Sequence, residues 1–267
     1  MFDLDQYLSR IGLQAKVGQD VETLYAIQMA HSTSIPFEHI SVLQRLGVSV
    51  EPDDIFEKLV VKKRGGYCFE QNGLLLQALQ AIGFDARPLG ARVRLEMPRS
   101  AQPPRTHVFV VVEMQGIKWI LDAGFGGFSL TAPLKWELDL VQPTPHETRR
   151  IVFEEGRYFH QSLLGDEWAD MCEFTGEEMP MVDRKLANWY TSTYPESRFN
   201  TRLAVGLARP DGTRYGLMND RFIHRRGGEV LEQTEVADKS SLLALLKEKF
   251  NLDMPADTSF GAWPFKG

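Results

Sequence analysis

The feature that most constrains the fold of this chain is a change of hydrophobic periodicity near Gly83. Before this residue, apolar side chains recur at helical spacing, as in residues 69–82, where Leu75, Leu79 and Ile82 fall on one face. After it, apolar and polar residues alternate, as in strands, through ARPLGARVRLEM, HVFVVVEM and IKWILDA. Helices followed by strands, without regular alternation, predict an α+β protein rather than repeated βαβ units.

Capping residues and turn signals mark further elements along the chain. Asp20 and Asp238 precede two predicted helices, and a short acidic side chain there can accept hydrogen bonds from the first N–H groups of the helix. These two helices are expected at residues 21–31 and 242–250, and further helices at 4–11, 53–60 and 184–195. Hairpins are expected around Gln115-Gly116, within residues 151–164 and at Pro210-Asp211-Gly212.

Charge and composition argue against several classes of protein. The formal net charge is −6 and no basic run exceeds Lys62-Lys63-Arg64, so no nucleic-acid partner is expected. No apolar stretch is long enough to span a membrane, and the N-terminus lacks the apolar core of a secretory signal. Two cysteines are too few for a disulfide framework, which favours the reducing cytoplasm. The Cys and His residues lack zinc-site spacing, so no metal is expected.

One of the two cysteines, Cys68, follows a double glycine at the head of a predicted helix, in RGGYCFEQN. A helix N-terminus favours a thiolate through its unpaired N–H groups and its dipole. Gly65 and Gly66 lack side chains, so we expect them to let a substrate or acyl group approach closely. The alternative interpretation is a small, buried and unreactive cysteine in a packed turn. Cys68 is therefore a candidate nucleophile that needs a partner base.

His107, which opens the strand HVFVVVEM, is the candidate base. A two- or four-residue turn centred on Gln115-Gly116 would place Asp122 opposite Phe109 in the hairpin. Phe109 shares a face with His107, so Asp122 would lie within reach of the ring. Asp122 would then fix the tautomer, and the other ring nitrogen would take the proton of Cys68. A three-residue turn would place the two side chains on opposite faces, so this triad depends on the turn.

Other conspicuous residues receive simpler interpretations. His31 is expected at a helix C-terminus, stabilised there by the dipole, while His146 is assigned to a loop and Cys172 to packing. The GFGG sequence at 124–127 lacks the lysine of a phosphate-binding loop. It is either a flexible turn or a backbone bend that projects Phe125 into a pocket beside the triad.

The chain resembles the arylamine N-acetyltransferases in five stretches: IPFEHI, RGGYCFEQN, the histidine of RTHVFVVV, LDAGFGG and NWYTSTYPESRF. The resemblance implies a helical bundle carrying the nucleophile over residues 1–84, a central β-barrel carrying the histidine and aspartate over 85–185, and an α/β lid over 186–267. It also implies a Cys-His-Asp core similar to that of the cysteine proteases. This fold agrees with the order of elements predicted above.

The resemblance further implies ping-pong transfer of acetyl from acetyl-CoA to an arylamine or arylhydrazine, without a metal. Cys68 would carry the acetyl group as a thioester, His107 would assist proton transfer and Asp122 would orient His107. Phe37 and Phe125 would stack on or enclose the acceptor ring. In the family pattern, His39 stands where PFEN more often has asparagine.

The resemblance also implies roles for Thr106 and for three glycines in binding the substrates. Thr106 would line the cleft or offer its backbone N–H to the oxyanion. The pantetheine arm of the donor would lie near three glycines, Gly124, Gly126 and Gly127. The expected partners are thus two small molecules, and the oligomeric state is left open.

Two other functions use the same residues. A cysteine hydrolase of papain or transglutaminase type has the same three residue types in the same order, with water as the second nucleophile. A binding domain with a structural cysteine would carry no acyl group at all. Formation of an acetyl adduct on Cys68 distinguishes the enzymes from the binding domain, and the effect of an amine on CoA release distinguishes the transferase from the hydrolase.

Overall fold

The N-terminal part of the chain is helical in the computed structural model, which describes residues 2–261. Its helices are α1 (Leu4–Arg10), α2 (Val21–Ser34), α3 (Ile40–Leu43), α4 (Pro52–Phe56) and α5 (Cys68–Ile82), with a short strand β1 (Phe37–Glu38) before α3. The helix expected over 53–60 is divided, because α4 passes into a π-helical turn at Glu57–Val61. The other predicted helices of this region are confirmed, with shifted ends.

Local chemistry explains where these helices begin and end. The Asp20 carboxylate accepts a hydrogen bond from the Thr23 N–H at 2.7 Å, which confirms the predicted cap of α2. Helix α5 ends at Gly83, whose φ of 107° lies in the left-handed region that glycine adopts without strain. The apolar face of α5 then packs with α1, α2 and α4 in one buried cluster that includes Leu24, Leu75 and Leu79.

A seven-stranded antiparallel sheet follows and curls into a nearly closed barrel. Its strands are β2 (Asp85–Val93), β3 (His107–Met114), β4 (Ile117–Leu121), β5 (Leu134–Lys135), β6 (Arg149–Glu154), β7 (Arg157–Leu164) and β8 (Glu167–Glu178). The order across the sheet is β5-β4-β3-β2-β8-β7-β6. Bridges from Leu138 to Ile151 and from Gln142 to Arg149 connect the chain after β5 to β6, which brings the two edges together.

The β3–β4 hairpin has the predicted register. Val110 pairs with Leu121 and Met114 with Ile117, so the turn consists of Gln115 and Gly116 alone. Both turn residues have positive φ, 54° and 75°, as a two-residue hairpin turn requires. The strand is buried on both faces, since Val110 packs against the helical bundle and Phe109 against the barrel interior.

The C-terminal part combines a second sheet with a closing helix. Its elements are α6 (Met181–Thr193), α7 (Arg198–Thr201), β9 (Ala204–Ala208), β10 (Arg214–Met218), β11 (Arg221–Arg226), β12 (Glu229–Glu235) and α8 (Lys239–Phe250). The hairpin predicted at Pro210-Asp211-Gly212 joins β9 to β10, and Asp238 caps α8 as predicted, accepting from the Ser241 N–H at 2.7 Å.

Strand β1 of the helical bundle completes this second sheet, whose order is β1-β9-β10-β11-β12. Phe37 pairs with Gly206, so the segment before α3 is tied directly to the C-terminal sheet. Within residues 2–261, no helix is both long enough and apolar enough to cross a membrane. The architecture is therefore the α+β arrangement of bundle, barrel and α/β lid that the resemblance implied.

Candidate active site

Cys68 is the first residue of α5, as the sequence predicts, and only 4% of its surface is exposed. The start of the helix is fixed by Glu70, whose carboxylate accepts a hydrogen bond from the Tyr67 N–H at 3.1 Å. Lys58 donates to the same carboxylate at 2.6 Å, so a buried acid is neutralised at the point where the helix begins. The thiol is thus held on a rigid element, with the positive end of the helix dipole beside it.

The double glycine serves a different purpose from the predicted one. A Cβ on Gly65 would lie 2.3 Å from the Pro36 carbonyl oxygen, and one on Gly66 would lie 2.8 Å from the Glu70 side chain. The Glu38 N–H donates to the Gly66 carbonyl at 3.0 Å. The expectation that these glycines admit a substrate is wrong, because the protein's own chain fills the space beside them.

His107 and Asp122 meet as the hairpin register predicts. The ring Nε2 lies 2.7 Å from the Asp122 Oδ2, and both side chains are buried. Strand β4 ends one residue before Asp122, so the carboxylate projects from the end of the ladder towards the ring. The Cys68 side chain acts on the same imidazole and helps to raise its pKa, so the three predicted side chains lie together.

Asp122 is held by more hydrogen bonds than the predicted triad included. Its Oδ1 accepts from the Asn72 side chain at 2.8 Å and from the Gly124 N–H at 2.9 Å, while Gln28 accepts from the Asp122 backbone N–H at 3.0 Å. Burial alone would raise the pKa of Asp122, but the facing His107 and these donors outweigh burial and lower it. The carboxylate is therefore charged and fixed in orientation.

The environment of His107 favours its charged form. Burial of the ring opposes protonation, but the Asp122 carboxylate and the Cys68 side chain together raise the pKa of His107 to about 10. At neutral pH the ring is therefore an imidazolium that faces the Asp122 carboxylate. An imidazolium beside a cysteine stabilises the thiolate, which is the nucleophilic form of the side chain. The arrangement can form and break an acyl–sulfur bond.

Thr106 contributes its carbonyl group to the site. The carbonyl oxygen lies 3.6 Å from the Cys68 sulfur. Its backbone N–H, however, donates to the Pro104 carbonyl at 3.0 Å. In this structure that N–H is already occupied, so of the two predicted roles of Thr106 only the lining of the cleft fits its contacts.

The two predicted aromatic residues flank the triad from different elements. The Phe125 ring lies edge-on to the His107 ring, with centroids 5.2 Å apart. Phe37 is half-buried and packs against the cluster that contains Cys68 and Val108. Both side chains are thus partly buried and pack against residues of the site.

The glycines of the GFGG sequence permit close approaches at this site. A Cβ on Gly124 would lie 2.6 Å from the Cα of Cys68, so only glycine fits there. Gly126 has φ of 73° and packs on the Phe37 ring, where a Cβ would lie 3.5 Å from the ring carbons. Gly127 has free space around its Cα, and its own backbone lies against Gly206 of β9. The sequence is a tightly packed bend, which contradicts the flexible-turn alternative.

A buried ion cluster supports this bend from behind, and we call it the arginine clamp. It consists of one carboxylate and three guanidinium groups that contact it, from residues Glu147, Arg149, Arg214 and Arg225. The three arginines donate in turn to three consecutive carbonyl groups, those of Gly127, Phe128 and Ser129, at 2.8–3.0 Å. The clamp therefore joins barrel and C-terminal sheet at the loop that follows Asp122.

The charge of the clamp is stable over a wide pH range. Burial would raise the pKa of Glu147, but the arginines, with Arg214 foremost, lower it to about 2. A carboxylate that accepts from Arg214 twice, at 2.7 Å each, is a rigid anchor rather than a titrating group.

The supporting residues Gln28, Asn72 and Glu147 were not predicted from the sequence. One signal was available, since Glu70, Gln71 and Asn72 are three polar residues in the first turn of an otherwise apolar helix. Buried polar side chains require partners, so such a run indicates a hydrogen-bond network. Glu147 gives no comparable signal, because its partners come from distant strands.

The interpretation of His31 by the helix dipole is wrong. Its ring is fully buried and hydrogen-bonds to the Tyr7 hydroxyl at 2.9 Å and to the Gln71 side chain at 2.8 Å. Burial lowers the pKa of His31 to about 4, so the ring is neutral and gains nothing from the dipole at neutral pH. His146 lies in a loop as predicted, although it is buried there against Thr131.

His39, the departure from the family pattern, has a structural contact. Its Nε2 accepts from the Ala204 N–H at 3.1 Å, and its ring lies edge-on to Phe199 with centroids 4.9 Å apart. Burial lowers the pKa of His39 to about 4. The neutral ring thus connects the segment before α3 to β9. Among the residues that the structure describes, no group of three or more His, Cys, Asp or Glu side chains is placed to hold a metal ion.

Comparisons with known proteins agree with this geometry. A family profile described as N-acetyltransferase matches residues 20–259. The arylamine N-acetyltransferase of Escherichia coli (strain K12) is 38% identical over 249 residues, which cover 93% of this chain and 88% of that protein. The solved arylamine N-acetyltransferase of Salmonella typhimurium has a TM-score of 0.90 at 36% identity, covering 97% of this chain and 93% of the other.

A second solved structure adds a ligand to the comparison. It is the Mycobacterium marinum arylamine N-acetyltransferase in complex with CoA, with a TM-score of 0.90 and 32% identity over 94% of this chain and 93% of the other. The fold, the convergence of Cys68, His107 and Asp122, and these matches lead to one conclusion. The chain belongs to the arylamine N-acetyltransferase family.

Proposed function

We propose that this protein transfers acetyl from acetyl-CoA to an arylamine or arylhydrazine, through a thioester on Cys68. The observation that carries the proposal is the buried His107–Asp122 pair, 2.7 Å apart, whose imidazole is also influenced by the side chain of Cys68. The names of the relatives supply the substrate class, and the M. marinum relative was solved with CoA. A metal plays no part in this proposal.

The first half-reaction moves acetyl onto the enzyme. The thiolate of Cys68 attacks the carbonyl carbon of acetyl-CoA, and the carbon–sulfur bond to CoA breaks. The imidazolium of His107 gives its proton to the departing CoA sulfur, so CoA leaves as a neutral thiol. The products are free CoA and an acetyl thioester on Cys68, with a neutral His107.

The second half-reaction returns the enzyme to its starting state. Acetylation removes the charge of the Cys68 sulfur, one of the two features that raise the pKa of His107, so the neutral ring persists long enough to act as a base. The amine nitrogen attacks the thioester carbonyl, His107 takes the nitrogen's proton, and the Cys68 thiolate departs. An aromatic amine is largely uncharged at physiological pH. It can therefore enter a partly apolar site without the cost of removing water from a cation.

The placement of the binding residues supports an assignment of substrates to sides of the site. Phe37 and Phe125 are partly buried beside the triad and would stack on the aryl group of the acceptor. The pantetheine arm of the donor would run along the bend formed by Gly124, Gly126 and Gly127, where the space beside Gly127 is open. Thr106 would line the same cleft.

We also propose that three units divide the work, over residues 1–84, 85–185 and 186–267. Cys68 lies in the first, His107 and Asp122 in the second, and the third is a lid that contributes Arg214 and Arg225 to the arginine clamp. The pairing of β1 with β9 fastens the first unit to the third. Both cysteines are free, and acetyl-CoA is a metabolite of the cell interior, so we assign the protein to the cytoplasm.

The cysteine hydrolase alternative shares the triad but is not favoured. The family match extends over most of the chain, and its named members are acetyltransferases. The experiment that separates the two is intact-mass measurement after incubation with acetyl-CoA, followed by addition of an arylamine such as aniline. We expect a single added acetyl group, which disappears when the amine is added while an equal amount of N-acetylarylamine forms.

Two variants complete this experiment. Cys68→Ser should give no thioester, whereas Cys172→Ser, the matched control at the other buried cysteine, should acetylate as the wild type does. The proposal is contradicted if no adduct forms on the wild-type protein, or if the adduct is lost to water at the same rate with and without the amine.

A further inference from the structure

Three buried side chains of the barrel carry polar atoms that have no hydrogen-bond partner within residues 2–261. These atoms are Nε and Nη1 of Arg149, Nε2 of His160 and Oγ of Ser162. None of the three residues is more than 3% exposed. A buried donor that stays unpaired costs free energy, so native proteins provide a partner for nearly all such groups. Three of these side chains in one place indicate a binding site.

The register of the β6–β7 hairpin brings the three side chains to one face of the sheet. Arg149 pairs with Ser162, and Ile151 pairs with His160. Directly opposed residues share a face, and so do residues two positions apart on one strand, so all four side chains point the same way. Ile151 belongs to the hydrophobic cluster of the barrel interior. The three polar side chains therefore meet inside the barrel.

Apolar side chains surround this polar group. The cluster around Ile151 includes Phe109 and Phe174, and Cys172 is the strand partner of His160. Hydrocarbon and thiol side chains offer no strong acceptor to a guanidinium group. A partner for the unpaired donors must therefore come from a molecule or an ion other than these neighbours.

The charge of the adjoining arginine clamp favours an anion as that partner. The clamp contains three guanidinium groups and one carboxylate, that of Glu147. The side chains of Arg149, Arg214 and Glu147 are only 1–3% exposed, so water does not screen this excess of positive charge. Burying an unbalanced charge is costly, and a bound anion offsets that cost.

Another nearby carboxylate, that of Asp122, does not remove this excess. It acts on Arg149 more weakly than Glu147 does. Its oxygens already accept from His107 at 2.7 Å and from the Asn72 side chain at 2.8 Å. The negative charge of Asp122 is thus balanced by the imidazolium of the active site rather than by the clamp.

His160 and Ser162 add uncharged donors to the guanidinium. Burial, together with the positive charge of Arg149, lowers the pKa of His160 to about 3, so its ring is neutral near pH 7. A neutral ring with its hydrogen on Nε2 donates one hydrogen bond, and the hydroxyl of Ser162 can donate another. With the two nitrogens of Arg149, four donors are available from three side chains.

We propose that the barrel interior binds one monovalent anion of the size of chloride, between Arg149, His160 and Ser162. An ordered water is less suitable, because it must donate as well as accept and would leave the charge of the clamp uncompensated. The bound ion would hold Arg149, which donates to the Phe128 carbonyl at 3.0 Å in the loop after Asp122. This proposal does not depend on the proposed function.

Thermal unfolding at increasing chloride concentration tests the proposal in solution. Sodium gluconate keeps the ionic strength constant, because its bulky anion cannot enter a site enclosed by strands. Once chloride exceeds its dissociation constant, we expect the Tm of the wild-type protein to rise by roughly 3–5 °C for each tenfold increase. A Tm that does not respond to chloride overturns the proposal.

Two serine variants show whether the response comes from this site. Ser162→Ala removes one donor without adding volume, and the rise in Tm should begin at about tenfold higher chloride because a hydrogen bond to a charged group is lost. Ser32→Ala is the matched control, since it removes a buried hydroxyl of α2 that donates to the Leu130 carbonyl at 2.7 Å. Ser32→Ala should keep the wild-type response, whereas a wild-type response in Ser162→Ala contradicts the assignment.

Diffraction from wild-type crystals containing bromide locates the ion without any variant. Data recorded at the bromine absorption edge should show an anomalous peak in contact with Arg149, His160 and Ser162. Density without an anomalous signal at this place would mean that ordered water satisfies the donors, and it overturns the proposal. An anomalous peak combined with a Tm that ignores chloride would mean an adventitious ion only, which overturns it as well.

Discussion

Two buried regions of this protein contain a cysteine beside a histidine, and only one of them is arranged for nucleophilic chemistry. The first is the catalytic region, where Cys68 contacts His107. The second is inside the barrel, where Cys172 of β8 is the strand partner of His160 of β7. The two thiols are almost equally buried, at 4% and 2% exposed, so burial does not distinguish them.

The two histidines have neighbours of opposite charge: His107 faces a carboxylate, whereas His160 lies near a guanidinium. His107 faces the carboxylate of Asp122, which together with Cys68 raises the pKa of the ring to about 10. Burial lowers the pKa of His160 to about 3, and the nearby guanidinium of Arg149 adds to this effect. The first imidazole is therefore charged at neutral pH and the second is neutral.

The state of each thiol depends on the histidine beside it. Burial raises the pKa of Cys172 well above its ordinary value, which leaves this cysteine as a protonated, packed side chain in the middle of a strand. Cys68 instead has an imidazolium beside it and stands at the first turn of α5. Residue types alone do not make a nucleophile: the third partner and the position in the secondary structure decide the outcome.

The largest expected effect comes from removing the negative charge of Asp122, which is the feature that distinguishes the catalytic region from the barrel region. Asp122→Asn keeps the size of the side chain but removes the carboxylate that stabilises the imidazolium and fixes its tautomer. We expect kcat/KM for acetyl transfer to fall about 10⁴-fold, the loss that the same replacement causes in other enzymes with such triads. Steady-state kinetics with acetyl-CoA and an arylamine measures the loss.

A matched control shows whether the loss of activity is specific to Asp122 or follows from removing a carboxylate anywhere in the protein. Asp253→Asn removes a surface aspartate that pairs with Lys247 and should leave kcat/KM unchanged. Thermal unfolding of both variants shows whether the protein remains folded at the assay temperature. Near wild-type turnover by a folded Asp122→Asn protein would remove this residue from the mechanism.

The second prediction compares the two thiols directly. In the folded protein near pH 7, iodoacetamide should alkylate Cys68 about 100-fold faster than Cys172, because the thiolate is the reacting form. Mass mapping of the two cysteine peptides over time gives both rates in one sample. In urea-unfolded protein the rates should become similar, and similar rates already in the folded state would show that the catalytic region does not activate its cysteine.

The smallest effect tests the neutral histidine of the barrel. His160 has a folded pKa of about 3 against an ordinary value near 6.5, so its contribution to stability is present above pH 6.5 and is lost as the pH falls below that value. Between pH 7 and pH 5 the loss amounts to about 2 kcal/mol. The wild type should therefore lose more unfolding free energy between pH 7 and pH 5 than His160→Asn does. We expect the two losses to differ by about 2 kcal/mol.

Urea denaturation at both pH values measures this difference. If the wild type and His160→Asn lose the same free energy of unfolding on acidification, the ring of His160 is not held neutral. The difference in charge between the His107 and His160 rings would then have to be explained by Asp122 alone.

The sequence predicts the pairing of His107 with Asp122 because its geometry is local to one hairpin. The prediction required a two- or four-residue turn at Gln115-Gly116, the structure has the two-residue turn, and the resulting register places Asp122 beside His107. The start of α5 is likewise readable, since glycines precede a long apolar helix. These features depend on short-range rules of turn and strand, which are strong in such segments.

What the sequence does not predict depends on contacts between distant segments. The double glycine is visible, but the chain that packs against it, Pro36 to Glu38, is not. Strand β12 was missed because its residues are all exposed and show no alternating pattern. The arginine clamp was missed because Glu147 and its partners come from a loop and three different strands.

The central claim is that His107 is held as an imidazolium between Asp122 and Cys68. Nitrogen-15 NMR of the histidine rings tests it most directly, and one pH titration observes both regions. We predict that His107 stays protonated from pH 6 to above pH 8, far beyond the ordinary value of about 6.5, while His160 stays neutral over the same range. A His107 ring that loses its proton near pH 6.5 would contradict the account.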